Sequence, residues 1–347
     1  MPSTVKEADA YYLNCGLNRE PWSCWPVPVM PDLTTDPWAG VSVPWKEPVA
    51  GRPVDYARTA KLADVDIEIA AQGGDSPWAG AATGFPFQII ASKGTTTPVW
   101  DLARAPVWSF SWATGFVRRD PIVQVPLPEL VRLEGDPNGA FDVHFHGFDP
   151  TEQVLFEMIS VNRSGLNRLK TWGTTDWTAG YTGGAPGIAR WNCKIAWNAP
   201  SQPFGCVAAG IPQFPLVARY DEVLRGRINH SLFLGVPNYG PELVGVARGG
   251  DGTAVGHPLR GGERLRLKRS VVEQFPLGTP ARIVAEAGWE YGAIVADRNS
   301  WDPKAGTKDF GRGALTLTMD ARWQGARGGV PLGRWATRLT DWEVIVP

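Results

Sequence analysis

The sequence predicts a mainly β fold: a β-sandwich or jelly-roll-like body with short helices only and an extended N-terminal arm. Three observations carry that expectation. The 347 residues include 40 glycines and 31 prolines, about one residue in five, and both types interrupt helices, glycine by its backbone freedom and proline by its fixed φ and missing N–H. Apolar residues make up 43% of the chain, with 17 tryptophans among them, which is material for a core rather than for a disordered segment. Apolar and polar residues alternate with period two in many short runs bounded by Gly, Pro, Asn or Asp, as half-buried strands do.

Residues 1–50 form the arm, with Trp22, Trp25, Trp38 and Trp45 interleaved with prolines from Pro21 to Pro48. Proline lowers the entropy lost on docking, and tryptophan buries a large area at few rotatable bonds. Such an arm is expected to lie extended over its own domain or over a partner subunit. The core domain is expected over residues 51–300, opening with a short helix near Asp55–Ala63. From residue 62, Val65, Ile67 and Ile69 alternate with Asp64, Asp66 and Glu68. Further strands are predicted at Phe87–Ala91, Val107–Trp112, Ala140–Phe148, Val154–Val161, Val217–Tyr220 and Arg227–Val236. The series continues with Arg264–Ser270, Ala281–Ala287, Ala293–Ala296, Ala314–Met319 and Trp342–Val346, and a second short helix is predicted near Val271–Phe275. Arg264, Arg266 and Lys268 alternate with Leu265 and Leu267, which puts three cations on one sheet face, either solvated or forming an anion-binding strip. Residues 301–347 are expected as a C-terminal β extension packing on the core or on a partner.

Charge and motifs exclude several classes. The 34 Lys and Arg against 35 Asp and Glu leave a formal net charge of −1, without the basic footprint of nucleic-acid binding. The opening MPSTVKEADAYYLN is charged and lacks the apolar segment of a Sec leader. No apolar run reaches the about 18 residues of a membrane span, so membrane insertion is not expected. Cys15 with Cys24, and Cys193 with Cys206, form two local pairs, read either as buried free thiols or as short loop closures. Without a P-loop, a dinucleotide fingerprint or a nucleophile elbow, no cofactor is expected.

Two clusters carry candidate chemistry. His144 and His146, at i and i+2, project from one side of a strand. A metal site of cupin type wants an acid soon after them, yet Glu157 comes only after a turn, so no metal is expected. The stretch reads instead as a hairpin that sets a histidine across from Glu157. The second cluster is Arg219-Tyr220-Asp221-Glu222-Val223, followed by His230. Its acids serve acid/base chemistry or simply cap a turn and pair with Arg219. The candidate catalytic residues are therefore Glu157, Asp221 and Glu222, with His144 and His230 as orienting groups. Trp172, Trp177, Tyr181 and Trp191 lie in a Thr-, Gly- and Asn-rich stretch and are candidates to stack on sugar rings, with ordinary core burial as the alternative.

The motifs follow a recognisable order: Gly84-Phe85-Pro86-Phe87, Leu133-Glu134-Gly135-Asp136, Asp142-Val143-His144, Phe156-Glu157 and Ala208-Ala209-Gly210-Ile211-Pro212. Arg219 to Val223, Ile228-Asn229-His230 and Leu265-Arg266-Leu267-Lys268 complete it. This order resembles a widespread, poorly characterised domain of secreted bacterial proteins with the pattern AAGLP…LVRYDEV…I.HAL…RLRLK, and is similar to parts of tail proteins in phages of actinobacteria. Two positions depart from the pattern: Val207 stands where those proteins often carry an acid, and Gly249 where they carry a histidine. The resemblance thus implies a fold more than a catalytic site. With no Sec leader in view, it implies a virion tail protein assembled in the host cytoplasm, or else an extracellular protein that leaves by a non-Sec route. The expected function is a phage tail structural protein, of minor-tail, baseplate or tail-tip type, with cell-surface glycan binding in host attachment. Its expected partners are other tail or baseplate proteins, copies of itself and a glycan. A glycoside hydrolase or cell-envelope depolymerase is the alternative, and a free lectin-like module a second.

Overall fold

The computed structural model describes residues 30–72, 85–90, 99–101, 108–111, 115–118, 124–126, 144–159, 187–298, 312–318, 320–324, 329–333 and 335–347. The strands are β1 (Glu68–Gln72), β2 (Gln88–Ile89), β3 (Val99–Asp101), β4 (Trp108–Ser111), β5 (Gly115–Arg118), β6 (Gln124–Pro126), β7 (Phe145–Asp149), β8 (Val154–Ile159) and β9 (Gly187–Asn192). They continue as β10 (Leu232–Val236), β11 (Gly240–Leu243), β12 (Arg260–Gly261), β13 (Arg264–Leu267), β14 (Ala293–Arg298), β15 (Arg312–Thr316), β16 (Ala336–Arg338) and β17 (Trp342–Val344). The fold is mainly β and sandwich-like, as composition and alternation predict.

Seven strands form one mixed sheet in the order β16-β1-β15-β10-β14-β13-β17, and six form a second in the order β2-β7-β8-β9-β4-β5. Although β16 and β17 lie on opposite edges of the first sheet, only the turn Leu339–Asp341 separates them in sequence. The sheet therefore curls until it nearly closes. Period two decides which face each side chain meets. On β10, Leu232, Leu234 and Val236 point into one core while Phe233 points into another; Ala293 and Val295 alternate likewise with Ile294 and Ala296 on β14. The first core includes Ala281, Val284, Ala285 and Ala287 of the helix Pro280–Glu290. The second lies between the sheets, where Phe233, Ile294 and Ala296 share a cluster with Phe87, Phe148, Leu155, Ala189 and Trp191. Each such large side chain contributes about 1.5–3 kcal/mol on burial.

The structure corrects three expectations. Ala281–Ala287 is helical rather than a strand: Pro280 sits at the first turn, Thr279 caps it by accepting the Arg282 N–H, and its buried residues recur at helical spacing. Val217–Tyr220 is likewise no strand, since a 3-10 turn, Phe214–Leu216, leads into the helix Tyr220–Leu224. Residues 312–347 are not appended to the core. β15 lies between β1 and β10 inside the first sheet, and β16 and β17 form its edges.

Of the two placements expected for the arm, residues 30–50 take the first, on their own domain. The described part of the arm, from Met30, is built into the second core: Trp38 and Trp45 are fully buried, packed edge to face at 5.5 Å, and Trp38 meets Trp191 at 5.9 Å. The basic strip on β13 holds it there. Arg264 donates to the carbonyls of Pro44 and Glu47 at 2.9 and 2.7 Å, and Arg266 to those of Val49, Ala50 and Arg52 at 3.1, 2.7 and 3.1 Å. Lys268 donates to the Thr340 carbonyl at 2.7 Å. These cations are engaged within the chain, by backbone carbonyls and, for Arg266, also by the Glu343 carboxylate at 2.8 Å. Both short helices predicted from sequence are present, at Tyr56–Lys61 and Arg269–Val272.

Candidate functional site

The five candidate catalytic residues divide into two buried clusters that share Phe214. β7 and β8 form the expected hairpin, whose turn is closed by Asp149 Oδ1 accepting the N–H groups of Thr151 and Glu152, each at 2.9 Å. His146 lies directly opposite Glu157 in the register. Alternation turns Glu157 to the same side as Leu155, into the space between the sheets. There Glu157 Oε2 accepts the Trp191 indole N–H at 2.9 Å, while Oε1 accepts the backbone N–H groups of Gln213 and Phe214 at 2.7 and 2.8 Å. Burial pushes its carboxyl up to about 7, against the pull of those donors. The His146 ring nitrogens meet the Pro86 carbonyl at 3.1 Å and the Gln213 side-chain amide at 2.8 Å. Burial, and then the neighbouring His144, push His146 down to about 3, so its ring is neutral. His144 stacks on His146 at 6.0 Å with only 9° between the rings. Together Glu157 and His146 pin the turn at Gln213–Phe214 to the second sheet.

The other cluster is organised by Arg219, which is 1% exposed. Its guanidinium reaches Asp36 at 2.5 Å, Asp221 at 3.2 Å and Glu222 at 3.1 Å. Its backbone N–H donates to Glu222 Oε2 at 3.0 Å and so starts the helix. His230 Nε2 lies 3.0 Å from Glu222 Oε1, and its Nδ1 lies 2.8 Å from the Ser231 carbonyl. Burial alone raises a carboxyl, but for Glu222 Arg219 and His230 outweigh it and hold the group down at about 2. For Asp221 burial prevails, and its carboxyl is raised despite Arg219. The Arg219 guanidinium lies 5.7 Å from the Phe214 ring centre, and His146 stacks on the same ring at 5.9 Å. One aromatic ring thus contacts both a neutral histidine and a buried cation.

Glu157, Asp221, Glu222, His144 and His230 are each 4% exposed or less. The expectation of an exposed indole at Trp191 is corrected: the residue is fully buried, with its N–H given to Glu157. Trp172, Trp177 and Tyr181 lie outside the described residues. Sequence reasoning missed Asp36 and Gln213. Asp36 lies 183 residues from Arg219, and no local pattern joins them; Gln213 acts mainly through a backbone N–H, which leaves no trace in residue type. Cys193 and Cys206 are buried thiols, and burial pushes the Cys193 thiol up to about 12 and raises that of Cys206. Cys15 and Cys24 lie outside the described residues.

The two positions that depart from the motif pattern lie on adjoining backbone segments. Arg248 N–H donates to the Ala209 carbonyl at 2.8 Å. A Cβ on Gly249 would stand 3.0 Å from the Ala208 carbonyl and 2.5 Å from the Phe204 ring, so a histidine fits there only if Phe204 moves. Among the described residues, no three His, Cys, Asp or Glu side chains converge as a metal ion requires. Comparison with protein families, with curated proteins and with solved structures returns no match.

Proposed function

We propose that the chain is a structural and binding component of a phage tail, and that its conspicuous histidines and acids maintain its fold rather than hydrolyse a glycan. One observation carries the second half of this reading: all five side chains that chemistry would use are buried, and the three carboxyls among them are already engaged. Glycoside hydrolysis needs two carboxyls in contact with the sugar. Glu157 is engaged by three N–H donors and Asp221 and Glu222 by Arg219. The tail assignment is supported by the motif order, and the non-catalytic reading by Val207 and Gly249, which stand where the pattern carries polar side chains. Because residues 30–50 of the arm pack into the core, docking falls to residues 1–29, and glycan contact to Trp172, Trp177 and Tyr181.

During assembly of its phage, the intact chain is expected in purified tail particles at a fixed copy number by quantitative mass spectrometry. A truncated chain starting at Met30, with an unchanged circular dichroism spectrum, is expected to be missing from them. Incorporation of the truncated chain at the intact level removes the docking role, and tail particles without the intact chain remove the tail assignment.

A further inference from the structure

An open groove of about 410 Å³ includes none of the candidate catalytic residues: its lining includes Asp64, Val65, Pro237, Asn238, His257 and Leu259. That volume lies within the range of small-molecule sites. Its walls are largely aliphatic, and two of its polar groups are unspent. Asp64 makes no hydrogen bond or ion pair among the described residues. His257 Nδ1 accepts the Leu259 N–H at 3.1 Å, which fixes the ring proton on Nε2 and leaves that N–H without an acceptor among the described residues. Burial lowers the imidazole below its usual range, so the neutral, single-donor form prevails. The ring is placed by the turn Ala254–His257, in which the His257 N–H donates to the Ala254 carbonyl at 3.1 Å and Gly256 takes a left-handed φ of +78°. The same turn leaves Val255 89% exposed.

One N–H donor, one carboxylate acceptor and aliphatic walls complement a secondary amide that carries a methyl group. The lining residues include two acids, Asp64 and the Arg338-paired Asp66, and no Lys or Arg, which disfavours an anionic ligand. A peptide offers the same amide, but a bound strand needs an open sheet edge. The backbone here is already engaged, because Leu339 N–H donates to the Ile67 carbonyl at 2.8 Å and Arg338 to the Asp66 carbonyl at 3.3 Å. We propose that this groove binds one N-acetylated sugar residue, whose acetamido carbonyl accepts from His257 Nε2–H and whose amide N–H donates to Asp64. The site does not depend on the tail assignment, and its test uses the isolated full chain.

The chain has four histidines, so a long-range proton–nitrogen correlation spectrum of the imidazoles reports on His257 directly, with the signal assigned by its loss in His257→Gln. Titration with N-acetylglucosamine is expected to move the His257 Nε2 signal to saturation while the other three stay in place. Glucose and N-acetylalanine methylamide are expected to move it much less at equal concentration. Asp64→Ala, an exposed substitution, is expected to weaken binding about tenfold. The proposal is overturned if N-acetylglucosamine leaves the signal unmoved, if glucose moves it equally, if the peptide mimic binds more tightly, or if Asp64→Ala leaves the affinity unchanged.

Discussion

Replacing Arg219 with methionine is expected to destabilise the chain by about 3–5 kcal/mol, read as a lower urea midpoint at unchanged slope. Methionine fills much of the volume, so the loss is not mainly a cavity. It comes from the carboxylates of Asp36, Asp221 and Glu222, which Arg219 alone brings together. Asp221 and Glu222 are 3% and 4% exposed, and without the guanidinium they keep the desolvation cost with only Arg225 beside Asp221 and His230 beside Glu222 left to offset it. Asp36→Asn is the internal control. Its side chain is 35% exposed, water already screens it, and a cost near 1 kcal/mol is expected. Equal costs for the two variants would mean that Arg219 is no hub.

Deletion of residues 1–50 is expected to abolish cooperative unfolding altogether. It removes Met30, Leu33, Trp38, Val43, Trp45 and Val49, all 5% exposed or less, and it takes from Arg264 the carbonyls of Pro44 and Glu47 and from Arg266 those of Val49 and Ala50. A single Trp→Ala change in a core costs about 3–5 kcal/mol, and domains of this kind have only about 5–15 kcal/mol in total. Trp38→Ala alone is therefore expected to be severely destabilising, and the full deletion to yield a chain without a thermal transition. A sharp transition near the intact midpoint, by calorimetry, would show that the arm is dispensable to the core.

What was legible in the sequence follows the range of each interaction. The β class, the hairpin that faces His146 to Glu157, and the two short helices at Tyr56–Lys61 and Arg269–Val272 are local patterns, set by alternation, turn residues and caps. The helix Pro280–Glu290 was legible in principle, since Thr279 and Pro280 mark its start; its many alanines hid the helical period behind an apparent alternation. The roles of the polar residues were not legible. Arg264 and Arg266 look like a solvated strip until the arm lies across them, and Arg219 looks like one partner of Asp221 until Asp36 arrives from the far end of the chain. Trp191 sits in polar sequence company but in apolar spatial company, because strand pairing with β8 carries it between the sheets. Residue type identified the groups that interact, whereas tertiary packing decided that they interact with one another.

The most direct test compares stability against pH for the intact chain and for Glu157→Gln. A carboxyl raised in the folded state from an ordinary 4.5 to about 7 keeps its proton over a range in which the unfolded chain has lost it. Stability then falls as pH rises from about 4.5 to about 7 and levels off above, with nothing lost below the lower limit. Relative to Glu157→Gln, the intact chain is expected to lose about 3 kcal/mol across that window. Parallel curves for the two proteins would mean that Glu157 titrates as a solvated acid, open to a substrate, and would contradict the assignment of these groups to the fold.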